Sequence, residues 1–257
     1  MKLIDSHCHL DVAPLAAEIE TVIANARVVG VHGFIIPGIT AFHWEKLLLL
    51  GSLHTGVYCA AGLHPLFLDH HHNRDLSKLK GLCLENKLVG IGEIGLDFYD
   101  GRQQETQQQQ LFEQQLAIAN KANLPIILHV RKAHDQVLAT LRRKHFTQGG
   151  TVHAFNGSYQ QAEKYIELGF AIGIGGAITY DRATKMRAVA SQLPEQSIVL
   201  ETDSPDMVIA GKKQGPNLPQ YLPEILEILA KLRNQSSEHL ATTTCENTRN
   251  IFRLKNE

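Results

Sequence analysis

Residues 4–11 read IDSHCHLD and close the first short apolar run of the chain. In a strand, successive side chains point to opposite faces, so His7 and His9 share one face and Cys8 takes the other. Two imidazoles on one face suit a metal or a substrate. A hydrophobic core accepts them only when each finds a partner. Taken alone, the pair reads equally well as a polar strand end carrying surface histidines. The decision rests on what stands at the ends of the later strands.

Seven further runs have strand character: VHGFIIPG (31–38), VYCAAGLHP (57–65), LVGIGEIGLD (88–97), LPIILHV (124–130), GTVHAF (150–155), FAIGIGG (170–176) and SIVLETD (197–203). Amphipathic segments separate them, among them residues 14–30, 105–123, 159–169 and 182–194, with apolar residues such as Leu111, Leu116, Ile118 and Ala122 at helical spacing. Strands alternating with helices imply a parallel sheet. Eight such units in a chain of 257 residues fit the size of a (β/α)8 TIM barrel, of about 250 residues. A doubly wound open sheet is the rival, and the even spacing of the units favours closure. Residues 218–234 and 236–254 read as two further helices on the barrel. The glutamines 107–110 read as a solvated helix face. No composition break marks a linker, so residues 1–257 form one α/β domain.

Composition narrows the function. The formal net charge of −1 excludes a broad basic surface for nucleic acid and leaves room for a few local phosphate contacts. The four cysteines form no CxxC pair and read as free thiols of a reducing, cytoplasmic compartment. No apolar run reaches the ~18 residues of a membrane span, and no secretory signal is visible.

Barrel sites sit at the C-terminal ends of the strands. There the sequence places His7 and His9, His64, Glu93, His129, His153, and the pair Glu201 and Asp203. Five imidazoles and three carboxylates on one rim are costly to desolvate without a cation. Imidazole and carboxylate are ligands for zinc, manganese and similar divalent ions. His7, His9, Glu93, His129, His153 and Asp203 are too many for one tetrahedral ion and suit two, with Glu93 between them. Two such ions clamp the attacking and leaving oxygens of a hydrolytic displacement, with Asp203 to take the proton of the water. Glu201 stands behind, to orient a ligand histidine. Arg131 and Lys132 follow His129 and are candidates to meet a phosphate. His70, His71 and His72 read as a solvated loop; His43, His54, His145 and His239 fall in helical stretches. The GIGG at 173–176 lacks dinucleotide spacing and reads as a place of close approach.

The runs IDSHCHLD, AAGLHP, GEIGLDFY, LPIILHVRKAHD, TVHAFNGS, AIGIGGAITY and IVLETDSPDM, in this order over nearly the whole chain, resemble the TatD family of metal-dependent deoxyribonucleases. DRATKMRAVASQLP, followed by GPNLP, is similar to its YjjV branch, whereas GKKQGPN (211–217) stands where relatives often carry an Arg-containing loop. The resemblance implies an amidohydrolase-like barrel with two divalent ions (magnesium, manganese or zinc) on His7, His9, Glu93, His129, His153 and Asp203. It implies a His64 that handles the phosphate, and exonucleolytic hydrolysis at a DNA end by a metal-activated water. Related barrels that use a modified lysine on strand four differ from this chain, which has Glu93 there. A metal-dependent amide or ester hydrolase, such as an aminoacyl-tRNA deacylase, is the alternative. A barrel that binds metal or nucleic acid without turnover is the third reading.

Overall fold

The computed structural model describes residues 2–212 and 214–255. Lys213, in the GKKQGPN loop, lies outside them. The elements run β1 Leu3–Asp5, α1 Ile19–Val28, β2 Val31–Pro37, α2 Trp44–Leu53, β3 Val57–Ala61, α3 Asn73–Leu84, β4 Gly90–Asp97, α4 Glu105–Ala122, β5 Ile126–Arg131, α5 His134–Arg143, β6 Gly150–Val152, α6 Tyr159–Glu167, β7 Phe170–Ile174, α7 Thr184–Gln192, β8 Ile198–Leu200, α8 Leu222–Arg233 and α9 Ser237–Phe252. All eight strands pair in parallel, in chain order. Their residues are buried almost throughout, as expected where helices cover one face and the barrel interior the other.

Local sequence explains the helices. On α8, Leu222, Ile225, Leu226 and Leu229 are buried at helical spacing, a proline sits in the first turn, and Asn234 ends the helix in the left-handed region. Ser158 and Gln161 form a reciprocal capping box on α6: the Ser158 hydroxyl accepts from the Gln161 N–H at 3.2 Å, and the Gln161 side chain accepts from the Ser158 N–H at 2.9 Å.

The eight-strand ladder is continuous from β1 to β8, and a seam of other hydrogen bonds brings its two edges together. Ser6 N–H donates to Leu200 O at 2.9 Å, Asp203 N–H to His7 O at 2.9 Å, and His9 N–H to Ser204 O at 2.7 Å. The Asp5 carboxyl accepts from the Thr202 N–H at 2.9 Å and lies 2.6 Å from its hydroxyl. This seam carries three of the candidate site residues.

Two apolar clusters fill the molecule. The larger lies between strands and helices. The smaller joins Ile4, Ile35, Ala60 and Ile127 to Phe252 and Leu254 at the end of α9. Gly90, the first residue of β4, lies close enough that an added Cβ would meet the Phe252 ring at 3.3 Å. Phe252 and Leu254 therefore plug the N-terminal mouth of the barrel.

Candidate metal centre

The C-terminal mouth gathers the predicted residues. β1 ends at Asp5, so His7 and His9 stand just past the strand, on a turn fixed by the seam. Their Nε2 atoms nevertheless meet at 3.2 Å, and Cys8 is buried on the other side, its Sγ 3.9 Å from Ile35 O. Glu93 sits inside β4, where the pairing with β5 shifts register between Ile91 and Ile94. Such an irregularity re-aims a side chain. Its backbone N–H donates to Gly38 O at 2.9 Å.

The two carboxylate oxygens of Glu93 face two different groups. Oε2 lies 3.3 Å from His7 Nε2 and 3.6 Å from His9 Nε2. Asp203 Oδ1 completes this group at 3.6 Å and 3.7 Å from the same two nitrogens. Ligands bonded at about 2.1 Å around a tetrahedral ion stand about 3.4 Å apart, so these spacings fit a single cation. Oε1 lies 2.8 Å from His129 Nδ1, 3.4 Å from His64 Nε2 and 3.9 Å from His153 Nε2. His153 Nε2 is also 3.7 Å from Asp203 Oδ2, which ties the two groups together.

Hydrogen-bond direction separates ligand from donor among these rings. His64 Nδ1 accepts from the Leu66 N–H at 3.1 Å, so its neutral ring carries the proton on Nε2, pointing into the site. His64 is thus built to donate. His129 Nε2 lies 2.7 Å from Asp97 Oδ2, which leaves the Nδ1 lone pair facing Glu93. Two acceptors at that distance need a proton or a cation between them. His153 Nδ1 lies 3.1 Å from Glu201 Oε1, which turns Nε2 toward the site.

Charge balance points the same way. Burial, with the neighbouring His153, holds His7 down to about 3. Burial takes His64 down to about 4 and pushes Asp203 up to about 6. Burial would raise Glu93, but His64, His7 and His153 hold it well below the carboxylate range. Against burial, Asp203, Glu201 and Glu93 raise His153 to about 10. The buried carboxylates favour a positive charge among them, and the donor set is the one divalent ions accept.

Some residues here escaped the sequence reading. Asp97 shares the inward face of β4 with Glu93 by the strand period, and that was the available signal. Gln108 is buried rather than solvated: its side-chain oxygen accepts from the Asp97 N–H at 2.8 Å and its amide donates to Asp97 O at 3.0 Å. Gln115, two turns on, holds Leu63 N–H and O in the same way, at 2.8 and 3.0 Å. One helix face therefore braces the strand ends bearing Asp97 and His64. Of the three histidines 70–72, His70 and His72 are exposed as a solvated stretch would be, and His71 is half-buried. Residues Pro65–His70 form a 3-10 turn, His71 Nε2 lies 2.9 Å from His64 O, and His72 caps α3. Gly173 explains part of the GIGG run, since an added Cβ would come within 2.4 Å of Glu201 Oε2. Asp203 leaves the strand period altogether, with φ of 58° past the end of β8. Arg131 ends β5 and lines the cavity, 3.7 Å from Asp97 Oδ2. Arg131 and Lys132 stand 4.0 and 4.5 Å from the centre of the Tyr99 ring.

Comparisons with known proteins show the family of this chain. Residues 4–253 match the family described as TatD related DNase. An uncharacterized metal-dependent hydrolase of Escherichia coli K12, YjjV, is 38% identical over 98% of both chains, and its crystal structure superposes with a TM-score of 0.95. A protein of Pantoea named 3'-5' ssDNA/RNA exonuclease TatD is 32% identical over 98% of this chain and 100% of its own. At 13% identity and a TM-score of 0.65, an organophosphorus hydrolase of Deinococcus radiodurans, covered over 97% of its length, shares the fold. Among the described residues no helix is long and apolar enough to cross a membrane. The chain is a metal-dependent hydrolase of the TatD family.

Proposed function

We propose that this protein is a cytoplasmic nuclease that hydrolyses phosphodiester bonds at a DNA end. One observation carries the reading: Glu93 turns its two oxygens to two groups of donors, 3.3 Å from His7 on one side and 2.8 Å from His129 on the other. That layout suits a two-ion site, in which His7, His9, Glu93 and Asp203 would hold one ion and Glu93, His129 and His153 the other. When bound, divalent ions there supply Lewis acidity and lower the pKa of water.

The chain's own residues supply the rest. Asp203, whose two oxygens face His7 and His9 on one side and His153 on the other, is placed to accept a proton from the attacking water. His64 donates its Nε2–H to a phosphate oxygen. Arg131, at the cavity wall, and Lys132 beside it hold the neighbouring phosphate. Glu201 and Asp97 fix the ring orientations of His153 and His129. The Pantoea relative's name supports a single-stranded nucleic-acid substrate.

The test is turnover of end-labelled single-stranded DNA with and without magnesium, manganese or zinc, using Asp203→Asn as control. Stepwise shortening that needs metal and Asp203 is expected. Metal-dependent hydrolysis of an aminoacyl ester, with DNA left intact, would replace the nuclease reading.

A further inference from the structure

A second cavity opens beside the metal pocket. It encloses about 980 Å³ against about 610 Å³ for the pocket, and the two share Ile39 and Phe67 as a common wall. The segments after β2 and β3 form it, together with the start of α3. Rings lead from one cavity to the other. His129 and His64 meet at 4.3 Å between centroids, His64 and Phe67 at 5.6 Å, and Phe67 and His70 at 6.2 Å. Phe42 stands on the facing wall, 88% exposed, with its ring centre 5.0 Å from that of His43, edge to face.

The charged residues of the groove are few. Lys78 is engaged by Glu45 at 3.3 Å and by Ala41 O at 3.5 Å. Arg74 is exposed and has no ion-pair partner among the described residues. Asp69 and Asp75 lie on the same walls, and Asp75 is occupied in capping α3 through the His72 N–H at 2.8 Å. The cations are thus nearly balanced, and the exposed Phe42 ring with the half-buried Phe67 ring is what the groove offers a ligand.

We propose that this groove seats the unpaired bases next to the scissile phosphate of a single-stranded nucleic acid, by stacking on Phe42 and Phe67, with Arg74 on one backbone phosphate. The inference rests on the nuclease reading and adds to it where the chain leaves the metal pocket. Single-strand grooves combine aromatic platforms with a cationic track, and stacking is sequence-tolerant because every base has a π-face. A duplex keeps its bases stacked on one another and cannot present them to Phe42. The groove therefore selects single strands without requiring a basic surface, which agrees with a net charge of −1.

The test measures binding apart from cleavage. Metal-loaded Asp203→Asn protein is titrated against a fluorescein-labelled oligothymidylate of about ten nucleotides, within the usual range of single-strand site sizes. Phe42→Ala should weaken binding about tenfold, the effect of losing one stacked base, and Phe42→Trp should restore it. Arg74→Gln should lower the salt slope by about 0.7, the share of one single-strand phosphate contact. In the active protein, Phe42→Ala should act on KM for the oligonucleotide rather than on kcat. Equal binding by all variants overturns the groove and leaves the nuclease reading to the cleavage assay. Failure of the parent protein to bind the single strand also overturns it. Binding that depends on Phe42, with no cleavage of any nucleic acid by the active protein, keeps the groove and removes the nuclease.

Discussion

The two mouths of this barrel are made by the same strands and from opposite materials. At the N-terminal mouth, Phe252 and Leu254 close over Ile4, Ile35, Ala60 and Ile127. Every atom there is satisfied by leaving water. At the C-terminal mouth, carboxylates and imidazole nitrogens face one another 2.8 to 3.9 Å apart, an arrangement that favours positive charge among them. The first arrangement stabilises the fold by burial alone, and the second gathers buried charge that a bound cation would offset. The difference shows how a barrel divides its work: apolar closure at one end holds strand ends in register, so that the other end can keep donors close enough to capture ions.

The comparison breaks most sharply at Asp203. Asp203→Asn should lose about 10³-fold in turnover, within the usual range for a positioned acid or base, because an amide cannot take the water's proton. Melting temperature should stay near that of the parent, since the Asp203 N–H to His7 O seam bond belongs to the backbone. Restoration of turnover by excess metal would make Asp203 a ligand only. The opposite mouth answers in the opposite currency. Phe252→Ala should cost about 3–5 kcal/mol of stability, the range for emptying a buried aromatic site, measured by denaturant unfolding. Metal affinity of the folded fraction should not move. A variant that kept its stability would show that Phe252 is not the plug.

The strands, the barrel and the convergence of the six candidate donors on one mouth were legible because each rests on a local period: apolar runs for strands, and chemistry-bearing residues where a run stops. The period even succeeded beyond its warrant at His7 and His9. These lie past the end of β1, on a turn that happens to keep both rings on one side. What was not legible depends on contacts between distant segments. Nothing in the glutamine run says that Gln108 meets the backbone of Asp97, since a polar residue facing a strand end looks like one facing water. His71 similarly finds His64 O only once the 3-10 turn has folded. The seam from Asp5 to Thr202 joins residues 197 positions apart.

A smaller effect sharpens the role of residues that touch donors rather than ions. Glu201→Gln should weaken metal affinity about 10- to 100-fold, the scale for partners that orient ligand histidines. Excess metal should restore turnover, unlike for Asp203→Asn. Gly173→Ala should reproduce part of this loss, because its methyl would displace the Glu201 carboxylate from 2.4 Å. Metal titration by calorimetry on both variants decides it. If Gly173→Ala left affinity unchanged, the close approach at Gly173 would be a matter of packing alone.

The smallest expected effect tests whether the seam resembles the lower mouth or the upper. Burial pushes Asp5 up to about 8, against hydrogen bonds from Thr202 and His7 that favour its charged form. Unfolded, the same carboxyl titrates at about 3.9. Between those values the folded chain holds a proton that the unfolded chain has released. Stability from Asp5 is therefore complete below about pH 4 and is lost as pH rises through about 8. The Thr202 hydroxyl donates to Oδ2 at 2.6 Å and lies 2.6 Å from Ser204 Oγ; once Oδ2 carries the proton, the hydroxyl can accept from it and turn its own proton to Ser204 Oγ. Asp5→Asn copies that pattern at every pH, with the amide as donor. With metal in excess, the variant should match the parent near about pH 5 and melt at a higher temperature than the parent near about pH 8.5. A variant that melts lower at both pH values would show that the seam needs the charged carboxylate, and would place Asp5 with the unsatisfied charges of the metal mouth rather than with the self-sufficient packing below.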